Sequence, residues 1–436
     1  MQPEHRAQPG SQPGGWGGGQ STGQPSGQPA VPSAGQGGPA MVQQPSSFPP
    51  QADPLASGAL ASSSAPSSAR VTVPGYPSGP AAPAEEGPGT GPLPSREALR
   101  REARVASSRR GAGDADVERA GALLKSVADI FSQRVVGQEQ LRTALVTSLM
   151  SSGHILLESV PGLAKTTAAQ TLASAVSGSF RRIQCTPDLM PNDIVGTQIY
   201  SYETGKFTTQ LGPVHANVVL LDEINRSSAK TQSAMLEAMQ ERQTSIGGTI
   251  YKLPNPFTVM ATQNPIEEEG TYVLPEAQMD RFLMKEILTY PRPADEVTIL
   301  KKTAEGTFDE RDDADPVSTD DILFLQETVR RVYVDDAIKN YIVAIINTTR
   351  GGGPRPIPGF LSNVRVGSSP RGGLALMQVG QALALQAGRN YVIPDDVKRL
   401  SYPVLRHRLG RTFDALANNV TPESLIDAVF EAVPAP

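Results

Sequence analysis

Between His154 and Thr167 the chain reads HILLESVPGLAKTT: an apolar run, a Pro-Gly turn, and a Lys-Thr pair opening a helical segment. Binding phosphate requires backbone N–H groups converging at a helix N-terminus and a cation on a flexible stem. The stretch Ser159, Val160, Pro161, Gly162, Leu163, Ala164, Lys165, Thr166 and Thr167 can supply both. Gly162 permits the tight turn, Lys165 can reach outer phosphates, and the Thr166 hydroxyl can ligate Mg²⁺. Against the strict pattern G-x-x-x-x-G-K-[ST], Ser159 and Ala164 stand where the two glycines belong. A serine there costs of order ~1 kcal/mol if the position requires a positive φ, and nothing if φ stays negative.

A second constellation follows in NVVLLDEINR, Asn217 to Arg226. Its apolar residues predict a buried strand that delivers Asp222 and Glu223 to its carboxyl end, beside the crevice where α/β sheets bind ligands. Asp222 would hold Mg²⁺ through water, because this ion keeps much of its hydration shell. Glu223 would polarise an attacking water. The plainer alternative is an acidic pair that caps the next helix. The following strand ends in MATQNP, where Asn264 could orient that water. Arg281, in LPEAQMDRFLM, and Arg371, in GSSPRGG, add two cations. Phosphoryl transfer gains from a cation meeting the charge that develops in the transition state, and an arginine can be supplied in trans. Arg371, at a helix start, could bridge from a lid to the phosphates. Taken singly, Asn264, Arg281 and Arg371 are ordinary surface residues; their order after one phosphate loop gives them meaning.

The elements that must position these groups alternate. Short apolar runs, HILLESV, FRRIQC, NVVLLDEI, FTVMATQNP and RFLMKEILTY, are separated by helical segments such as AKTTAAQTLASAV. Strands apolar along most of their length, alternating with helices, indicate a parallel sheet covered on both faces. Order begins near Asp114, with Val117, Ala120, Leu124, Val127 and Phe131 at helical spacing. Beyond YPRPADE the periodicity is helical throughout. The division expected is residues 113–290 as α/β core and 291–436 as a smaller all-helical domain. Residues 1–112, rich in Gly, Pro, Ser and Gln, form a tail that cannot bury enough apolar surface to fold. Its end, SREALRREARVASSRRG, is a solvated basic linker or an arm for an acidic protein, nucleic acid or a membrane surface.

The net charge of −5 favours no partner class. No apolar run approaches the length that spans a bilayer and no signal peptide is visible, so a cytoplasmic protein is expected. The single cysteine, Cys185, excludes an internal disulfide and reads as a small buried residue at a strand end rather than a nucleophile. The four histidines lack metal-ligand spacing.

These strings resemble the MoxR-type AAA+ ATPases of bacteria. The resemblance runs from about Val117 to Leu409 and rests on RIQCTPDLMPNDIVGT, GPVHANVVLLDEINRSSAKTQSAMLEAMQERQ, ATQNPIEEEGTYVLPEAQMDRFLMK and SPRG. The family's loop reads G-V-P-G-L-A-K-T, which leaves Ser159 as the departure and Ala164 as normal. The resemblance implies an AAA+ P-loop core with a helical lid. It makes Lys165 and Thr166 part of Walker A, Asp222 and Glu223 Walker B, Asn264 sensor 1, Arg281 the arginine finger and Arg371 sensor 2. It adds Val136 and Gly137 to the nucleotide contacts, with ATP and Mg²⁺ as cofactors. It further implies a homo-hexameric ring, rotation of lid against core, and chaperone-like maturation of client proteins. Metal-centre assembly and partners with von Willebrand factor A domains belong to the same implication. Two insertions are expected as hairpins, around Thr204-Gly205 and at Gly247-Gly248. Three alternatives share the core: a nucleic-acid motor, a chelatase subunit and a nucleotide-binding scaffold without hydrolysis. The second hairpin, TSIGGTIYKL, has one Lys and no Arg, which makes nucleic acid unlikely; Glu223 and Arg281 are both present, against the scaffold.

Overall fold

The computed structural model describes residues 111–160, 162–265, 271–307 and 315–436. The expected tail falls outside them except for its last two residues, and so does Pro161. Ala112 is already buried, its N–H donating to Arg331 O at 3.1 Å, so the chain is pinned just before the first helix.

Helix α1 (Asp114–Arg134) and helix α2 (Glu139–Met150) lead into strand β1 (Ile155–Glu158). Helix α3 (Lys165–Ala175) follows the loop, then β2 (Phe180–Gln184), the one-turn helix α4 (Pro191–Val195), and the hairpin β3 (Gly196–Ser201) and β4 (Lys206–Leu211). Strand β5 (Val218–Asp222), helix α5 (Ala229–Glu241), the hairpin β6 (Gln243–Ile246) and β7 (Thr249–Lys252), strand β8 (Thr258–Gln263), helix α6 (Glu276–Met279) and β9 (Met284–Ile287) complete the α/β part.

Five strands make one parallel sheet in the order β2-β5-β8-β1-β9. Strand β5 is buried along its whole length, as expected for a strand covered by helices on both faces. The chain leaves β1 for the far edge at β2, returns through β5 and β8, and crosses to the other side of β1 with β9. The loop after β1 therefore lies at the point where strand order reverses, the place where open α/β sheets bind ligands.

Both expected hairpins are present. Gly205 turns the first at φ +64, and Gly247 and Gly248 turn the second at φ +57 and +81, the positive angles of a type I′ turn. They lie side by side: Gly247 packs on the Gln198 side chain, and Tyr251 Oη is 2.9 Å from Thr209 Oγ1.

Among the described residues from Pro293 onward the chain is mainly helical, with α7 (Pro293–Glu305), α8 (Thr319–Arg331), α9 (Asp336–Thr348), α10 (Phe360–Asn363) and α11 (Pro370–Gln386) followed by four shorter helices. One antiparallel ribbon, Val364–Val366 with Gly410–Arg411, departs from the all-helical expectation. Ser318, Asp335 and Ser369 cap α8, α9 and α11 through their side chains, satisfying N–H groups that the helices leave open. These helices share one apolar cluster with α1 and α2. Two amides stitch the contact: Gln326 Nε2 donates to Leu149 O and Gln386 Nε2 to Thr147 Oγ1, both at 2.8 Å.

Candidate functional site

The loop after β1 is shaped by backbone angles that the sequence does not announce. Ser159 continues the sheet, its N–H donating to Gln263 O at 3.2 Å, and its buried hydroxyl donates to Val160 O at 3.0 Å. It is not among the positive-φ residues, so the expected strain does not arise there. Gly162 has φ +86, and Ala164 stands at φ +52 in the left-handed region immediately before α3. The conformational cost of the missing glycines therefore falls on Ala164 rather than on Ser159. Lys165 opens α3 and turns back, its Nζ donating to Ser159 O at 3.4 Å. A cavity of about 750 Å³ borders the loop at Gly162, Ala164 and Thr167, with Val136, Tyr290 and Glu296 opposite. Gly137 sits at φ +72 against Asp295, where a Cβ would come within 2.7 Å of the carboxylate side chain. A side chain at residue 137 would push α7 away from the cavity.

The acidic pair occupies the carboxyl end of β5 as expected. Asp222 is buried, and both carboxylate oxygens are engaged. Thr262 Oγ1 donates to Oδ1 at 2.7 Å, while Arg182 Nε and Nη2 donate to Oδ2 at 3.1 and 2.6 Å. Thr262 Oγ1 also accepts from the Glu223 N–H at 2.8 Å, so one hydroxyl orients both acids. Glu223 stands at φ +58, an angle that costs about 1–3 kcal/mol outside glycine and marks a constrained position. Its carboxylate makes no helix cap, which removes the plainer alternative; it accepts from Gln184 Nε2 at 3.2 Å and lies 3.1 Å from Arg226 Nε. Asn264 is buried one residue past β8, the strand between β5 and β1.

Arg182, Gln184 and Thr262 were not singled out in the sequence. The signal was in the strand register: Gln184 faces Asp222 across the β2–β5 pair, a relation set by sheet order rather than by local spacing.

Arg281 and Arg371 are placed elsewhere. Arg281 precedes β9, whose first residue Met284 pairs with Ile155 at the start of β1, so it lies at the amino edge of the sheet. Arg371 lies beside it: Asp280 Oδ1 accepts from Arg408 Nε at 2.8 Å, Oδ2 accepts from Ser369 Oγ at 2.8 Å, and Arg371 Nη1 is 3.8 Å from Oδ2. Both arginines line a cavity of about 390 Å³ with Gly153 and His154, residues that precede β1. Arg371 opens α11, which packs on α1 and α2, so its first turn stands at the opposite edge of the sheet from the loop of its own chain.

The remaining titratable groups here are structural. Burial lowers the His154 pKa to about 3; Nδ1 accepts from the Val259 N–H at 3.0 Å, which leaves the proton on Nε2 to meet Met239 O at 3.1 Å. Burial pushes the Cys185 thiol up to about 12, so it stays protonated and is no nucleophile. Among the described residues there is no cluster of three or more His, Cys, Asp or Glu that could hold a metal by itself, and no helix long and apolar enough to cross a membrane.

The loop could hold the phosphates of a nucleotide. A Cβ at Gly162 would meet nothing within 4 Å, and α3, whose first-turn N–H groups have no partner within the helix, begins three residues on. If Mg²⁺ binds with the nucleotide, the half-buried Thr166 hydroxyl would ligate it, and Asp222 would hold it through water, since Thr262 and Arg182 already engage the Asp222 oxygens.

Comparison with known proteins agrees with this geometry. The model of the ATPase family associated with various cellular activities (AAA) matches residues 154–284, and the AAA lid domain matches residues 362–429. The chain is 48% identical over 302 residues to Chaperone MoxR1 of Mycobacterium tuberculosis, covering 69% of this chain and 79% of that protein. It is 42% identical over 315 residues to protein YeaC of Bacillus subtilis, covering 72% and 95%. A crystal structure of a protein from Cytophaga hutchinsonii superposes with a TM-score of 0.67 at 37% identity, covering 76% of this chain and 99% of that one. With a phosphate loop, an oriented acidic pair and a helical lid in this order, the chain belongs to the MoxR-type AAA+ ATPases.

Proposed function

We propose that this chain hydrolyses ATP to ADP and phosphate, with Mg²⁺, in a closed ring of identical subunits, and that the ring remodels client proteins in the cytoplasm. The observation that carries the reading is the division of the site between the two edges of one sheet. Lys165, Thr166, Asp222, Glu223 and Asn264 lie toward the carboxyl edge, while Arg281 and Arg371 line one cavity at the amino edge, Arg371 beside the Asp280 carboxylate. From Gly153 to Ser159 the strand spans roughly 20 Å, too far for either arginine to serve its own loop. The arginines serve the loop of a neighbouring copy. Such an interface joins unlike surfaces, and it leaves no unused halves only when it closes into a ring, taken here as a hexamer.

Within one boundary the roles divide by chemistry. Mg²⁺ and the arginines neutralise the charge that develops on the transferred phosphoryl group. Lys165 and the first turn of α3 bind the phosphates. Glu223, held by Thr262 and Gln184, polarises water, and Asn264 positions it. The β3–β4 hairpin, with Tyr202 and Phe207 exposed, supports client contact. The name of the mycobacterial relative supports a chaperone role. Clients maturing a metal centre and partners with von Willebrand factor A domains follow from the family resemblance. Lys252 is the lone Lys of the β6–β7 hairpin, which has no Arg, so nucleic acid remains the weaker partner.

Mixing inactive variants tests the shared site. Arg281→Ala and Lys165→Ala should each abolish most turnover. Mixed in equal amounts, about a quarter of the boundaries combine an intact loop with an intact arginine, so activity should return in part. No recovery at any ratio, with assembly confirmed by sedimentation, would reject an arginine acting in trans.

A further inference from the structure

Helix α7 has two unlike faces. The inner one is engaged: Lys302 Nζ donates to Gln133 O at 2.8 Å, Asp295 packs on Gly137, and Ile299 borders the loop cavity. The outer one carries Pro293, Val297, Leu300 and Ala304, an apolar stripe at helical spacing. Val297 is 50% and Leu300 69% exposed, no side chain of the helix is buried, and among the described residues nothing covers the stripe. Leucine and valine set in register on an exposed helix, beside a ligand cavity, need a partner to be stabilising.

A matching surface lies between α9 and α11. Ile342 and Ile346 floor a groove of about 480 Å³, with Gly373 and Met377 beside them, and Val343 and Leu374 stand at its walls 65% and 56% exposed. A Cβ at Gly373 would sit in ordinary contact, 3.4 Å, with Ile346, so the missing side chain keeps the floor low. Lys339 and Arg350 line the groove, and no acid does. The stripe on α7 is flanked by Glu296 on one side and Lys301 on the other, so its apolar side chains rather than its charge make the match.

We propose that the groove between α9 and α11 receives the outer stripe of α7 from a second copy of this chain. The inference rests on the arginine-sharing boundary and names its apolar contact. Continuity selects the occupant. Pro370 and Leu374 of the groove flank Arg371 on the first turns of one helix, and Leu374 also lines the cavity that holds Arg281. The neighbour's loop cavity, which these arginines must meet, is bordered by the neighbour's α7. A copy placed so that Arg371 faces that cavity brings the stripe across the groove. The nucleotide cavity and the boundary then touch the two faces of one helix.

Cross-linking tests the contact in the full chain. The native thiol, Cys185, is buried and protonated, so it leaves introduced cysteines as the reactive ones. The double variant Leu300→Cys with Val343→Cys, treated with a short bismaleimide in the presence of ATP and Mg²⁺, should give a ladder of covalent oligomers on a denaturing gel. Either single variant should give none, and neither should Leu300→Cys paired with Phe413→Cys. Rings that form by sedimentation while the double variant gives no ladder overturn the stripe-in-groove contact and leave the shared site standing. A product that stays monomeric on the gel, with residues 300 and 343 linked by mass spectrometry, also overturns it, because the occupant is then the same chain. Absence of any ATP-dependent assembly overturns the boundary itself. As a second measurement, Leu300→Glu, which adds a charge to an exposed side chain, should raise the concentration needed for half-assembly at least tenfold with an unchanged Tm for the unassembled chain. An unchanged assembly midpoint counts against the proposal.

Discussion

Replacing Ala164 by glycine should stabilise the protein, whereas replacing Ser159 by glycine should destabilise it, although both changes move the loop toward the same pattern. Ala164 stands at φ +52, ψ +25, where an L-residue pays roughly 1–2 kcal/mol from the closeness of Cβ to the carbonyl oxygen. Glycine removes that cost and adds about 0.4–1 kcal/mol of entropy to the unfolded chain. The net gain is about 0.5–1 kcal/mol, worth about 1–3 °C in Tm for a chain of this size. Ser159 is the reverse case. It lacks a positive φ, it is 2% exposed, and its hydroxyl makes a hydrogen bond to Val160 O. Glycine there forfeits about 1 kcal/mol of hydrogen bonding and adds the same unfolded-chain entropy, for a loss of about 1–2 kcal/mol. Urea and thermal denaturation of the nucleotide-free variants measure both, and titration with a fluorescent ATP analogue shows whether Ser159→Gly binds more tightly. Opposite shifts in stability, with no gain in affinity from Ser159→Gly, are expected. A shift of both variants in one direction, or a higher Tm for Ser159→Gly, refutes the assignment of the strain to residue 164.

Glu223→Gln should keep ATP binding and lower turnover by orders of magnitude, measured as phosphate release beside analogue binding; unchanged hydrolysis rejects Glu223 as the group that polarises water. Thr262→Val keeps the volume but removes the hydroxyl that serves Asp222 and the Glu223 N–H, so turnover should fall about tenfold or more with the loss of those charge-assisted bonds, and wild-type kinetics would show that Thr262 is only structural. Burial raises the Glu286 carboxyl to about 7, against the opposing pull of Arg406 and the Gln140 hydrogen bond. Its folded pKa lies above the unfolded one, so the stability it contributes is full below about pH 4.5 and is lost as pH rises toward 7. Glu286→Gln should therefore raise unfolding free energy at pH 8 by up to about 3 kcal/mol and change little near pH 4, a difference read from urea curves at the two pH values. His154 has the opposite sign: its lowered pKa gives stability that is present above about pH 6.5 and is lost as pH falls toward 3, so His154→Gln should flatten the acid limb of a Tm–pH profile.

What could be read from the sequence divides by the range of the relation involved. The Lys165-Thr166 pair and the Asp222-Glu223 pair were legible because each is a contiguous string bounded by an apolar strand, and local spacing puts it at a strand end. The parallel sheet and the Gly247-Gly248 turn were legible for the same reason. Arg182, Gln184 and Thr262 were not, because their importance lies in register: β2 and β8 both flank β5, and only that order brings two separate segments onto the acidic pair. The location of Arg371 was not legible either, since it depends on how α11 packs against α1 and α2 through apolar residues that look alike in every helix of the chain. The choice between Ser159 and Ala164 as the strained position turns on a backbone angle. Both substitutions replace a glycine, and only the path of the loop tells them apart.

The same packing bears on where motion is taken. Rotation of a lid against a core inside one chain would have to open an apolar cluster that runs without a break from α1 and α2 into α8, α9 and α11. Burial of that kind contributes about 25 cal/mol for each Å² kept from water, so separating even a few large side chains costs several kcal/mol. The Asp280 carboxylate adds a polar tie, since its two oxygens hold Arg408 and Ser369 with Arg371 nearby, immediately before Arg281. The two arginines therefore move together with α11, as one body with the amino edge of the sheet. A boundary between copies has no such continuous core to break. In the proposed ring, a change in charge at the phosphates would be felt first by groups that reach them from the neighbour, and α7, which buries no side chain, borders the loop cavity. Hydrolysis in one subunit of the proposed ring would then pass on as a shift of the adjacent chain as a unit, and that shift would do the work on a client.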